Sequence, residues 1–189
     1  MEAAKDPSIA ALCLMATPAS LYSEVIIEQI ERVLSLQGGN ETYIADTVAK
    51  QRAIHEQLRS GEPDPITIAP PERYEYEFVK AIIDVTGADY AKQIKCPILI
   101  LQGDKDLFTV MPEESQLLKE AFVEGGNEQV ELAIFPDLDH WFRPTPGQPS
   151  LDLYYEDRGP ISAKFGSFLI IPIPMGNIQV KLSREHFLS

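Results

Sequence analysis

The sequence predicts an α/β fold in which a parallel sheet is interrupted by a helical insertion. Residues 96–101 and 130–135 are short apolar stretches that each end abruptly in polar turn residues, which is typical of buried parallel strands. A segment of helical period, 112–124, lies between them and would form the crossover that parallel pairing requires. A third apolar stretch, 9–17, precedes a long block of helical period, 20–93. With 189 residues and 44% hydrophobic content, the whole chain suits a single domain.

The first apolar stretch, residues 9–17, is almost free of polar side chains and ends at Thr17-Pro18. Its shortness favours a strand buried on both faces over a helix. Acidic residues outnumber the lysine that precedes it, whereas a signal peptide needs net positive charge there, so we expect a cytoplasmic protein. Cys13 and Cys96 show no metal-like spacing, and we expect both to be reduced core residues.

The block 20–93 is predicted to be an insertion of three helical elements. Ser20 or Ser23 would cap the first helix, which would end at the glycine pair 38–39. Asn40 would cap the second, because its side chain can accept a hydrogen bond from the first helical turn.

The second helix is expected to end at Gly61, and a proline-rich connector follows it. In the third helix, apolar residues recur at intervals of three and four between 74 and 85, and Gly87 would end it. Each of the three helices is thus expected to end at a glycine, which tolerates the left-handed conformation that ends helices.

The rest of the predicted sheet core spans residues 94–171. Pro112 suits the first turn of the crossover helix, and the glycine pair 125–126 would end it. Residues 161–169 have the spacing of an amphipathic helix, and 172–189 stays unassigned apart from weak alternation consistent with an edge strand. The side chains of the crossover helix that are expected to face inward are Leu117, Leu118, Ala121 and Phe122.

Composition argues against several classes of function. Sixteen basic and twenty-nine acidic residues give a net charge of −13, which disfavours binding to nucleic acid or anionic lipid. No stretch is long enough to cross a membrane, and no spacing of metal ligands or cofactor motif is recognisable, so we expect no cofactor and no metal.

An acid and a histidine follow the last two predicted strands. Asp106 closes the turn after the strand ending at Leu101, and His140 follows the strand 130–135. Because parallel strands bring their carboxyl-end loops together, we expect the Asp106 carboxylate to lie within hydrogen-bond distance of His140. That pairing would orient an imidazole as a general base.

Other interpretations of these residues stay open. Asp104 is a second candidate for the acid, and either carboxylate also suits a solvated turn. His140 is alternatively a loop histidine bonded to the backbone, although Trp141 beside it would pack it in place. His55 and His186 are expected to be structural or surface histidines.

Taken together, residues 6–143 resemble the carboxyl-terminal half of an α/β-hydrolase. The resemblance lies in the order of an acid turn, Gly103-Asp104-Lys105-Asp106, and a histidine turn, Asp139-His140, with a crossover helix between them. It implies that 6–18, 97–106 and 135–140 correspond to strands six, seven and eight with their turns, and that 20–93 is a helical cap. It also implies that Asp106 is the triad acid and His140 the general base of a serine hydrolase acting on carboxylic esters or amides.

The chain departs from that family in lacking a nucleophile motif. No Gly-x-Ser-x-Gly occurs, and Gly166-Ser167-Phe168 lacks the second glycine and follows the histidine. We therefore expect this chain to be the acid and base half of a hydrolase and to be inactive alone. To act on a small acyl substrate, it would need a complementary amino-terminal half. A homodimer is the other expected assembly, formed through the strand at 9–16. Alternatively, the chain's own tail, around Ile178 to Leu182, pairs with that strand as a substitute. The alternative is a non-catalytic oligomerising or binding protein derived from a hydrolase half-fold.

Overall fold

The computed structural model describes residues 4–6, 8–60, 73–107, 110–147 and 150 of the chain. The predicted helix at 161–169 and the tail at 172–189 lie outside these ranges. No helix within them is long and apolar enough to cross a membrane. The elements in chain order are β1 (Leu12–Met15), α1 (Tyr22–Leu36), α2 (Glu41–Ser60), α3 (Arg73–Ile82), α4 (Gly87–Ala91), β2 (Ile98–Gly103), α5 (Pro112–Glu124) and β3 (Val130–Phe135).

The three strands form one parallel sheet in the order β1-β2-β3. The register places Met15 of β1 opposite Leu101 of β2, and Phe135 of β3 opposite Gly103. All three strands therefore end at the same edge of the sheet. The α/β class and the predicted parallel pairing of β2 with β3 across α5 are confirmed.

Two hydrophobic clusters lie on opposite faces of β2, because successive strand side chains point to opposite sides. The first consists of Ala19, Ala91, Ile94, Ile98, Ile100, Leu118, Ala121 and Phe122. The second consists of Leu99, Leu101, Leu138 and Phe142. Burial of β2 on both faces is typical of a central parallel strand and explains the unbroken apolar run at 98–101.

The first strand is shorter than predicted, and its burial on both faces was wrong. Leu12 and Leu14 pack against the cluster that contains α5, whereas Cys13 and Met15 point the other way and are exposed. Cys13 is therefore not a core residue, while Cys96 is half-buried against the same cluster. The uninterrupted apolar sequence misled the prediction because strand side chains alternate regardless of polarity.

The predicted serine caps of α1 were also wrong. Leu21 occupies the cap position and makes no side-chain cap bond, and Ser23 is buried inside the first turn. The backbone N–H and hydroxyl of Ser20 instead donate to Glu114 of α5. The predicted cap of α2 is confirmed, since Asn40 Oδ1 accepts the Tyr43 N–H at 2.9 Å.

The helical block contains a short helix that was not predicted. Helix α3 ends before Gly87, and Gly87 starts α4 instead of ending a helix. A Cβ at Gly87 would lie 2.1 Å from the Pro18 carbonyl oxygen, so the glycine is required by a close approach of two segments. Leu21 and Thr86 form an antiparallel bridge there, which brings the beginning and end of the block side by side.

One predicted core position in α5 was wrong. Leu117 is 46% exposed, whereas Leu118, Ala121 and Phe122 are buried as expected. The buried side of α5 also includes Glu114, so that side is centred near 118 and leaves 117 in solvent.

Candidate active site

The turns that follow β2 and β3 are joined by hydrogen bonds at the carboxyl edge of the sheet. The Asp104 N–H donates to the Phe135 carbonyl at 3.1 Å, and the Lys105 N–H donates to the Leu138 carbonyl at 2.9 Å. In the opposite direction, the Asp137 N–H donates to Asp104 Oδ1 at 2.7 Å. The acid turn and the histidine turn therefore form one connected unit.

Gly103 allows this close approach. A Cβ on Gly103 would lie 2.3 Å from the Leu138 carbonyl oxygen and 2.7 Å from that of Asp139. These distances are far inside van der Waals contact, so any side chain here would push the two turns apart. Glycine at 103 is thus needed for the histidine turn to pack against the acid turn.

The central contact of the site joins Asp106 to His140. Asp106 Oδ2 lies 2.8 Å from His140 Nδ1, and the side chains are 0% and 20% exposed, respectively. The other carboxylate oxygen accepts the Val110 N–H at 3.1 Å. The predicted proximity of the two side chains is confirmed.

The acceptor character of a carboxylate determines the histidine tautomer. An ionised Asp106 can only accept, so Nδ1 of His140 carries the proton in this contact. In the neutral ring, Nε2 then has a free lone pair. The arrangement can take a proton at Nε2 and stabilise the resulting imidazolium through Asp106.

Asp139 shapes the backbone that carries His140. Its Oδ1 accepts the N–H groups of Trp141 and Arg143, both at 2.9 Å. Its Oδ2 pairs with the Arg143 guanidinium through Nε at 3.0 Å and through Nη2 at 2.9 Å. The carboxylate is buried, and its bonds wrap the chain tightly around His140.

The two aromatic residues after His140 play different structural roles. Phe142 is buried and meets Phe135 edge to face, with ring centroids 6.0 Å apart. Trp141 is exposed, but its ring lies edge-on to the His140 imidazole at 5.2 Å. Phe142 has a φ of 55°, a strained value for a non-glycine residue, so its packing holds the turn in an unfavourable conformation.

The remaining candidates lie elsewhere. Asp104 directs its carboxylate to the backbone of Asp137, so it serves the turn. His55 is buried in α2 with Gln51 Nε2 2.9 Å from its Nε2, and burial, followed by the charge of Arg59, lowers the pKa of His55. His186 lies outside the described residues, which themselves contain no group of three His, Cys, Asp or Glu able to hold a metal.

Sequence reasoning missed two residues that contact the pair or its turn. Gln102 is fully buried, and its Nε2 lies 3.2 Å from Asp106 Oδ2. In the sequence, Asp139 stands out only as the residue before the histidine. A polar residue near the end of an apolar strand was the available signal for Gln102, whereas no local pattern marks Asp139.

No protein-family model matches the chain, and no curated protein matches it. Solved structures similar to it include an esterase of Pyrococcus furiosus, with 18% identity over 71% of this chain and 38% of that chain, at a TM-score of 0.36. An α/β hydrolase enzyme from a Medee basin deep-sea metagenome library has 17% identity over 73% of this chain and 52% of that chain, at 0.39. A proline iminopeptidase of Mycobacterium smegmatis has 17% identity over 73% of this chain and 53% of that chain, at 0.39.

The chain spans about two fifths to one half of the length of these structures, from 38% to 53%. Their overall likeness to it is low. The geometry of Asp106 and His140 is therefore the main indication of function.

Proposed function

We propose that this chain carries the acid and base of a serine-hydrolase active site that acts on carboxylic esters or amides. The observation that carries the proposal is the 2.8 Å contact between the buried Asp106 carboxylate and Nδ1 of the partly exposed His140. Both residues follow parallel strands at the same edge of the sheet, where α/β folds place their ligands.

In the proposed reaction, Asp106 orients the imidazole, and His140 is the general base. Nε2 removes the proton from a hydroxyl nucleophile while the hydroxyl oxygen attacks the acyl carbonyl. The imidazolium then returns this proton to the leaving alcohol or amine as the carbon–leaving-group bond breaks. Asp106 remains ionised throughout and stabilises the positive ring.

In the same proposal, β1, β2 and β3 correspond to strands six to eight of the hydrolase sheet, and residues 20–93 form the cap over the site. Two observations support the cap. The ends of the block are adjacent at the bridge between Leu21 and Thr86, as for a unit inserted into a sheet. In addition, Arg32 of α1 donates to the Leu107 carbonyl at 2.7 Å, immediately after the acid.

The nucleophile would come from a complementary amino-terminal half, because none of the 189 residues belongs to a Gly-x-Ser-x-Gly motif. The oxyanion-hole amides would come from the same half, and loss of even one such donor costs roughly 3–4 kcal/mol of barrier. We therefore propose that this chain alone has no hydrolase turnover.

The proposal is tested first on the chain alone. Incubation with a fluorophosphonate probe and with short-chain activated esters should give neither serine labelling nor hydrolysis. Stoichiometric labelling of any serine, with Ser167 as the first suspect, would contradict it.

A second test uses coding sequence upstream of the chain. If that sequence contains Gly-x-Ser-x-Gly, the longer protein should label. Asp106→Asn should slow labelling about 10⁴-fold, because an asparagine amide group can donate to His140 Nδ1 and so favour the wrong tautomer. Asp104→Asn is the matched control, since it keeps the oxygen that accepts the Asp137 N–H. Equal effects of the two substitutions would reject Asp106 as the acid.

A non-catalytic oligomerising or binding protein is the second candidate function. The observation that favours it is the free edge of β1, which pairs only with β2 among the described strands and exposes Met15. Sheet edges of this kind bind further strands. For the non-catalytic function, a second copy of the chain would bind at this edge and form a homodimer. For the hydrolase function, the complementary amino-terminal half would bind there.

A further inference from the structure

Gln102 is a polar residue near the end of β2 and is completely buried. Its Nε2 lies 3.2 Å from each of three oxygens, which are Asp106 Oδ2 and the carbonyls of Gly103 and Val110. All three can act only as acceptors, because an ionised carboxylate and a carbonyl carry no proton. The amide nitrogen must therefore face them, since a rotated amide would put Oε1 against three oxygens.

The oxygen of the same amide is buried at a cost in free energy. Gln102 Oε1 is buried and accepts no hydrogen bond from the residues the structure describes. Burying an acceptor without a donor is unfavourable, and an apolar side chain would avoid this cost. A glutamine at this position therefore indicates a task for Nε2 that an apolar side chain cannot perform.

We propose that Gln102 is a positioning residue for Asp106, an inference that rests on the function proposed above. Gln102 bonds Oδ2 of the carboxylate, and the Val110 N–H bonds Oδ1. Donors on the two different oxygens oppose rotation of the carboxylate group. Oδ2, the oxygen that contacts His140 Nδ1, is thereby kept in place.

Gln102 acts only through Asp106 in this proposal. Without its bond, the carboxylate loses a donor to the oxygen that contacts His140, so the Nδ1–H contact becomes less persistent. The imidazole would then visit orientations in which Nε2 is no longer presented as the base. The predicted signature is faster exchange of the His140 Nδ1 proton with solvent.

The test is nitrogen-15 NMR of the full chain, with the His140 signal assigned by its loss in His140→Gln. In the unsubstituted protein we expect a slowly exchanging Nδ1 proton. In Gln102→Met, which has a similar shape but no donor, exchange should be about tenfold faster or more, as expected for losing one hydrogen bond to a charged group.

Asn127→Leu is the matched control. Asn127 is also a buried amide, and its Nδ2 donates to the carbonyls of Ile94 at 3.1 Å and Cys96 at 2.8 Å, before the start of β2. It therefore matches the loss of a buried amide near β2 but lies away from Asp106. Equal acceleration in both variants would overturn the positioning role, because the effect would then follow general stability.

The remaining outcomes separate the two proposals. A slow Nδ1 proton that is unchanged in Gln102→Met overturns the role of Gln102 alone. Absence of any slow His140 Nδ1 proton in the unsubstituted protein overturns the acid–base pair itself, and Gln102 with it.

A measurement on the unsubstituted protein applies even if Gln102→Met does not fold. The Nε2 protons of Gln102 should exchange more slowly than those of the exposed Gln93, which bonds the Asp89 carbonyl on a helix surface. Equal exchange of the two amides would overturn the proposal.

Discussion

Gly103 and Asp139 show how single residues determine the geometry of the candidate site. Gly103 provides the space in which the histidine turn approaches the acid turn, and Asp139 holds the backbone around His140. Their influence on the site is therefore exerted through the position of the backbone.

Substituting Gly103 should disturb both stability and the site. In Gly103→Ala, the new Cβ would meet the Leu138 carbonyl, and overpacking of this kind costs roughly 1–3 kcal/mol. Urea denaturation should show this loss in the free energy of unfolding, and the His140 Nδ1 proton should exchange faster.

Gly126→Ala is the control for that experiment. Gly126 has a φ of 83° and open space around its Cβ position, so alanine there introduces backbone strain without a clash. It should lower stability but leave the His140 signal unchanged. A Gly103→Ala protein with an unaltered His140 signal would contradict the packing argument.

At the scale of elements, one buried polar contact joins α5 to the segment before α1, and another lies within α2. Glu114 of α5 accepts the N–H groups of Ala19 and Ser20, both at 2.8 Å, in the segment that leads into α1. Within the helical block, His55 of α2 is buried beside Gln51. Each contact yields a prediction about stability.

Removing the Glu114 carboxylate should be strongly destabilising. Glu114→Ala leaves backbone donors of Ala19 and Ser20 without their acceptor, and each such group costs roughly 1–3 kcal/mol. Glu113→Ala is the matched control one residue away, and this exposed position should change stability by no more than about 0.5 kcal/mol. Similar urea midpoints for the two variants would refute this role.

His55 should make stability depend on pH. Burial, the largest cause, and the charge of Arg59 and Arg52 lower its pKa, against the opposing effect of Glu24 and Asp84. Because the charged ring is disfavoured in the folded state, protons bind the unfolded chain first. Stability is therefore full above the ordinary histidine pKa of about 6.5 and declines as the pH falls below it.

The comparison with His55→Gln isolates this contribution, because every other titrating group is common to both proteins. The difference in the free energy of unfolding should stay constant above about pH 7 and shift against the histidine form towards pH 5, by at most about 1.4 kcal/mol per pH unit. A difference that is flat over this range would contradict the expectation.

For the whole molecule, the sheet edge at β1 is the feature that bears on association with another chain. Within the described residues, β1 is an edge strand that exposes Met15 and Cys13. The net charge of −13 opposes association, so pairing along this edge would need to overcome that repulsion.

We expect sedimentation at low micromolar concentration to show a dimer, and Met15→Lys to convert it to a monomer, because a charge on an edge strand opposes further pairing. Ile134→Lys is the matched control, since Ile134 is exposed on β3, the opposite edge strand of the described sheet. A monomeric unsubstituted chain would contradict the predicted homodimer.

Local sequence by itself determined β2, β3 and α5, because the two strands are short apolar stretches, α5 has a helical period, and each of the three has clear end signals. It also placed Asp106 and His140 at one edge, since parallel strands leave no other arrangement. The tertiary structure decided which groups meet across the chain. Ser20 donates to Glu114 instead of capping α1, and Leu117 is exposed. The histidine turn closely approaches Gly103, and the Gln102 amide is buried beside Asp106. Those outcomes depend on the distances between segments far apart in sequence, which no local pattern encodes.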